Sequence, residues 1–215
     1  MYLRLIWGKR FVKNILHNDL FPMEQLGNKP VSQGTFKALL KTLSSDLIRF
    51  ICENATIFNN DARVCYDRII PGFSQLCCQS LGLPQKAAEF MLKFLLSAEY
   101  HVTTAYGTSA EYFSNLNQAI YGVLQGSGSA PAIWLAVSII LIRHYKSKFA
   151  SEGISNPTRT DFITNLLDAF VNDTDLYHMV PEPTITTKEL VKRMQQRAQT
   201  WEKALFATGG KLKFK

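Results

Sequence analysis

The chain has 215 residues, 47% hydrophobic and 19% charged, with a net charge of +7 and a pI near 9.2. That balance belongs to a globular chain long enough to bury a core, and it excludes a disordered or repetitive protein. The charge is uneven: residues 1–50 hold eight Lys/Arg against three Asp/Glu, residues 51–184 eight against twelve, and residues 185–215 eight against two. Basic ends attract a polyanion and an acidic middle concentrates cations, although solvated helix faces give the same counts.

The first thirteen residues carry no acid, and they read either as a transit peptide or as an ordinary amphipathic helix. Residues 9–19 look helical, with Phe11, Ile15 and Leu16 on one side. Pro22 and the run Gly27-Asn28-Lys29-Pro30 break the pattern. A long helix follows over 33–54, with Phe36, Leu39, Leu40, Leu43, Leu47, Phe50 and Ile51 recurring at three and four. A short β-prone run, 55–58, leads to Asp61. Pro71 opens a helix that Gly82 ends, and Pro84 opens the next, to about residue 97.

The run 100–106 is β-branched and aromatic and reads as a strand, turned by Gly107-Thr108-Ser109. Residues 119–123 are a second candidate strand. A Gly/Ser loop spans 125–131, then a helix over 132–145. The apolar stretch 130–142 is too short to cross a bilayer and reads as buried helix. Residues 151–157 form a loop. Two apolar runs, 166–171 and 176–180, flank Asn172-Asp173-Thr174-Asp175, a hairpin signal. A helix over 187–208 is capped by Gly209-Gly210, and 211–215 starts a strand. Helix and strand are mixed without βαβ regularity, which predicts an α+β fold with an antiparallel sheet.

The four cysteines form no C-x-x-C pair and have no histidine at ligand spacing, so zinc is not expected. Without a secretory signal, the thiols are expected to be reduced. No membrane span is expected.

Two acidic clusters carry the chemistry. One runs from Asp61 to Asp67 and the other holds Asn172, Asp173 and Asp175, each at the end of a predicted strand. Carboxylates on adjacent strands can share two Mg²⁺ about 4 Å apart, which activate a 3′-hydroxyl and stabilise leaving pyrophosphate. Turn preference alone also accounts for Asp and Asn at these places.

Further residues extend the pattern. Asn60-Asp61-Ala-Arg-Val-Cys-Tyr66-Asp67-Arg68-Ile69 resembles motif A of reverse transcriptases, an Asp followed five positions later by an aromatic. Gly122-Val-Leu-Gln125-Gly126-Ser-Gly-Ser-Ala130-Pro131 resembles motif B, and Phe170-Val171-Asn172-Asp173 resembles motif C. Trp201-Glu202, Thr208-Gly209-Gly210-Lys211-Leu212 and Lys215 resemble the start of motif D, and Glu24-Gln25-Leu-Gly27 a fingers motif upstream. Five motifs in order are similar to the reverse-transcriptase-like proteins of non-LTR-type retroelements.

The resemblance implies a polymerase palm, an antiparallel sheet packed on helices, over 56–215. Motif A falls at 58–69, B at 122–131, C at 168–176 and D at 201–215, with a mostly helical partial fingers lobe over 1–55. It implies Asp61 and Asp173 as metal ligands for two Mg²⁺, with Asn172 beside them in the catalytic set. Tyr66 becomes the steric gate that selects dNTP over NTP, a core tyrosine being the alternative. Gln125 and Gly126 would meet template base and nucleotide, where a side chain would block close approach. Lys215 falls in the motif D lysine region. The partners implied are an RNA template, a DNA primer and dNTP, in the nucleus or cytoplasm.

The sequence departs from the family at Asn172, where motif C has its first Asp. A neutral amide replaces a carboxylate, and strand alternation predicts that Asp173 points away from Asn172. Ala130 replaces the usual motif B serine. The upstream basic fingers segment and the thumb are expected to be missing. Weak or absent polymerase activity is expected, and a non-catalytic nucleic-acid-binding module is the alternative.

Overall fold

The computed structural model describes residues 2–27, 34–63, 65–97, 99–110, 113–114, 122–123, 127–149, 154–156, 158, 160–163, 167–180 and 184–213. The elements are α1 (Tyr2–His17), α2 (Gly34–Ile51), β1 (Asn54–Asp61), α3 (Cys65–Arg68), α4 (Pro71–Ser80) and α5 (Gln85–Leu96). Four two-residue strands follow: β2 (Glu99–Tyr100), β3 (Thr103–Thr104), β4 (Gly107–Thr108) and β5 (Phe113–Ser114). Then come α6 (Ala130–Phe149), β6 (Ile154–Ser155), β7 (Phe162–Ile163), β8 (Leu167–Phe170), β9 (Asp173–Val180) and α7 (Thr187–Ala207). This is the α+β architecture that the sequence predicts.

The main sheet is antiparallel with order β1-β9-β8. Residues 24–27 extend it beyond β8: Leu26 N–H donates to Ala169 O (2.7 Å) and Ala169 N–H to Glu24 O (2.8 Å). At the far end of β1, Ala62 pairs antiparallel with Leu212.

Strand alternation splits the sheet into two faces. Phe58, Leu167, Ala169 and Leu176 belong to the main core with α6, α4, α7 and the Phe11–Ile15 side of α1. Ala55, Ile57, Tyr177 and Met179 face the other way and pack on Leu47, Ile48 and Ile51 of α2. Twelve of the twenty α6 residues are buried, so this helix is central. Among the described residues, no helix is long and apolar enough to cross a membrane.

Helix ends follow local chemistry. Pro71 opens α4, and Gly82 (φ +90°) follows its end. Thr186 caps α7 by accepting from Glu189 N–H (3.3 Å).

Two strand expectations are corrected. The run 100–106 is not one strand. It breaks at 101–102, and Gly107-Thr108 pairs back on Thr103-Thr104 around a turn at 105–106. The hairpin loop is also shorter than the sequence suggests. Asp173, Thr174 and Asp175 lie within β9, and only Val171-Asn172 turns the chain. Of the candidate strand 119–123, residues 119–121 lie outside the described residues. Gly122 and Val123 form no strand but donate to Ile69 O (2.8 Å) and Tyr66 O (2.7 Å).

Candidate functional site

The tight hairpin sets the geometry. Val171 has φ +56°, which is rare for a β-branched residue. Its surroundings hold it there. Trp134 Nε1 of α6 donates to Val171 O (2.6 Å), and Gly27 lies so close that a Cβ on it would stand 2.6 Å from Val171 N. Glycine at 27 is thus a condition of the close approach.

The ladder brings the two acidic clusters together. Asp61 pairs with Asp173, and Asn59 with Asp175. On the other side of β9, Asp168 pairs with Asp175. Directly opposed residues project on the same face with Cβ atoms about 4.5–5.5 Å apart. Asn172 joins them from the turn: its Nδ2 donates to Asp61 Oδ1 (2.5 Å), and Ala62 N–H donates to its carbonyl (3.2 Å). The expected divergence of Asn172 and Asp173 fails because Asn172 is a turn residue, to which strand alternation does not apply. Both stand beside Asp61.

Asp61 and Asp175 each have cationic company. Lys213 Nζ lies 3.7 Å from Asp61 Oδ2, and Lys213 N–H donates to Asp61 O (2.9 Å). Asp175, 4% exposed, receives Lys37 Nζ on Oδ2 (3.3 Å) and Lys41 Nζ on Oδ1 (3.4 Å), both from α2. Asn59 Nδ2 also donates to Asp175 Oδ1. Behind Asp175, the Tyr177 hydroxyl donates to Asp168 Oδ2 (2.8 Å); burial first, and then Asp168, push the Tyr177 phenol well above its ordinary range. Between α2 and this end of the sheet lies a cleft of about 640 Å³, lined by Lys37, Lys41, Asp61, Asp173, Asp175 and Lys213 among others.

Tyr66 sits on α3, half-buried, its ring edge-on to Trp134 (6.3 Å, 63°). Burial pushes its phenol up to about 12. It packs against the main core and is not among the residues lining the cleft. Gln125, Gly126 and Lys215 lie outside the described residues.

Sequence reasoning missed Lys37, Lys41, Trp134 and Lys213. Lys213 was open to discovery. Leu212 is buried beside Ala62, so alternation along the strand turns Lys213 to the opposite face, where Asp61 lies. Lys37 and Lys41, four apart on α2, carried the signal of a polar stripe on one helix face.

The donor set is weak for a pair of Mg²⁺, because a neutral amide stands beside its two carboxylates. Among the described residues, no group of three or more His, Cys, Asp or Glu stands where it could hold a metal ion. An amide N–H and an ammonium already engage the two oxygens of Asp61.

A three-stranded antiparallel sheet with α2 on one face and α6 and α7 on the other gives a reverse-transcriptase-like fold, similar to that of solved telomerases. The chain superposes on telomerase from Candida albicans in complex with the TWJ fragment of telomeric RNA (TM-score 0.61, 12% identity, 97% of this chain and 33% of that one). It also matches apo telomerase from Candida tropicalis truncated from its C-terminal domain (0.57, 13%, 98% and 38%). A third match is Candida tropicalis telomerase with the TWJ fragment (0.53, 14%, 94% and 32%). The chain spans about a third of the length of these telomerases. No family model and no curated protein matches the sequence.

Proposed function

We propose that this chain is a reverse-transcriptase palm that binds an RNA template paired with a DNA primer, and in which template-directed nucleotidyl transfer from dNTP is impaired at Asn172. The observation that carries the reading is the meeting of Asp61, Asn172 and Asp173 at one hairpin, in the motif order of the sequence. The basic segments 1–50 and 185–215 supply electrostatic affinity for the phosphate backbone. Kinship with non-LTR-type retroelements, and with it a nuclear or cytoplasmic location, rests on the motif order. Tyr66 as steric gate, and Gln125, Gly126 and Lys215 as nucleotide and template contacts, belong to the same proposal. A non-catalytic binding module is favoured over a working polymerase by one observation: the Asn172 amide donates to the carboxylate it should join.

The test has two arms. An RNA–DNA hybrid should bind at about 50 mM salt, and its affinity should fall steeply as salt rises. Mg²⁺-dependent dNTP incorporation on an RNA template should be absent from the parent chain. No hybrid binding overturns the nucleic-acid reading; robust extension by the parent overturns the impairment.

A further inference from the structure

The cleft contains as many lysines as aspartates: Lys37, Lys41 and Lys213 line it with Asp61, Asp173 and Asp175. A site built for two dications keeps its carboxylate oxygens free to coordinate them. Here both oxygens of Asp175 are taken up by Lys37, Lys41 and Asn59, and Asp175 is almost fully buried. Both oxygens of Asp61 also have partners, the Asn172 amide on one and Lys213 on the other. The orientation of that amide is fixed by chemistry. Two oxygens 2.5 Å apart would repel, so the nitrogen faces Asp61 and the amide is engaged as a donor to the carboxylate. An incoming dication would also meet the Lys213 ammonium at contact range, a like-charge neighbour.

We infer that Lys213 is a resident counter-cation standing on Asp61 where a divalent metal would stand. With Asn172 it closes the cleft to metal, leaving a latent divalent-cation site that two substitutions reopen. This deepens the proposed function and rests on it for the identity of the cleft. It adds that nucleic acid is taken up there without divalent metal.

The test reads metal directly. Mn²⁺ is titrated into the folded chain and followed by electron paramagnetic resonance, with folding checked by circular dichroism. The parent should show no saturable uptake up to about 1 mM Mn²⁺. Asn172→Asp/Lys213→Ala should bind at least about tenfold more tightly, and adding Asp61→Asn should abolish the gain, because two carboxylates and a vacated cation position make an oxygen site. Should that double variant fail to fold, Asn172→Asp/Lys213→Gln, with the amide at the half-exposed position, serves instead: it should gain measurable uptake while Asn172→Asp/Lys213→Arg behaves as the parent. Saturable Mn²⁺ binding by the parent that is lost in Asp61→Asn overturns the inference. So does a folded double variant of either kind that is as blind to Mn²⁺ as the parent. Hybrid binding that proceeds in EDTA supports metal-free uptake, and binding that EDTA abolishes overturns it. Failure to bind hybrid under any condition strikes the proposed function and leaves the metal result intact.

Discussion

Asp61 and Asp173 are the final cross-strand pair of the β1–β9 ladder, two carboxylates on one face at the mouth of a cleft. Like charges directly opposed on a sheet are destabilising, and Asp173 is the more exposed of the two. Asp173→Asn should therefore raise stability by about 0.2–1 kcal/mol. Thermal melts in low salt check this, and an unchanged or lower melting temperature would show that the pair carries no repulsion.

Asp175 is held differently, and removing it should cost more. Asp175→Ala strips Lys37 and Lys41 of their shared partner at a buried position. A loss of about 2–3 kcal/mol is expected, below the full range for buried pairs because the lysines can reach water. Lys41→Ala should cost under about 1 kcal/mol, since Lys41 is 36% exposed, with Lys37→Ala between the two. Urea unfolding of the three variants gives the order directly, and equal losses would contradict it.

Gly27→Ala tests whether the edge segment positions the hairpin. The added methyl would stand 2.6 Å from Val171 N, so the turn must shift. Stability should fall by about 1–3 kcal/mol through overpacking. Hybrid affinity should fall with it, even though residue 27 does not line the cleft. A variant with parental melting and binding would show that the hairpin is placed by other contacts.

The thiols give a pH and reactivity signature. Burial pushes Cys65 and Cys77 up from 9.0 to about 12, and Cys78 further still. Folded thiols stay protonated where unfolded ones ionise, so the stability they contribute is full below pH 9 and is lost as pH rises through about 12. Melting temperature should accordingly decline from pH 9 upward. At pH 8, only the exposed Cys52 should react rapidly with a thiol reagent, and the other three only on unfolding. Fast labelling of two or more thiols would contradict the burial.

The sequence made some of this site readable and hid the rest. The apolar runs and the Asp-rich turn announced the hairpin strands, and the β-prone run 55–58 announced the strand that carries Asp61 into register with Asp173. The closing point of the turn was hidden. Asn-Asp-Thr-Asp reads as loop because each residue favours turns, while Val171 is poorly suited to a left-handed backbone. Tertiary contacts reverse that preference: the Trp134 indole and the close approach of Gly27 fix Val171 where local propensity would not. In the same way, 100–106 has strand composition but lacks a long partner and breaks into short pairings. Motif spacing points to Lys215, whereas side-chain alternation from the buried Leu212 points to Lys213.

Helix α6 gives the hairpin and the sheet edge a common mounting. Trp134 fastens the hairpin tip, Ser138 receives Gln25, Arg143 reaches Leu20 O (3.2 Å), and Lys146 pairs with Glu24, so four rungs along one rod hold two separate pieces of chain. None of those four rungs touches a cleft carboxylate. The scaffold that gives the cleft its shape is therefore separate from the groups that give it chemistry, and mutation can erode the second while the first endures.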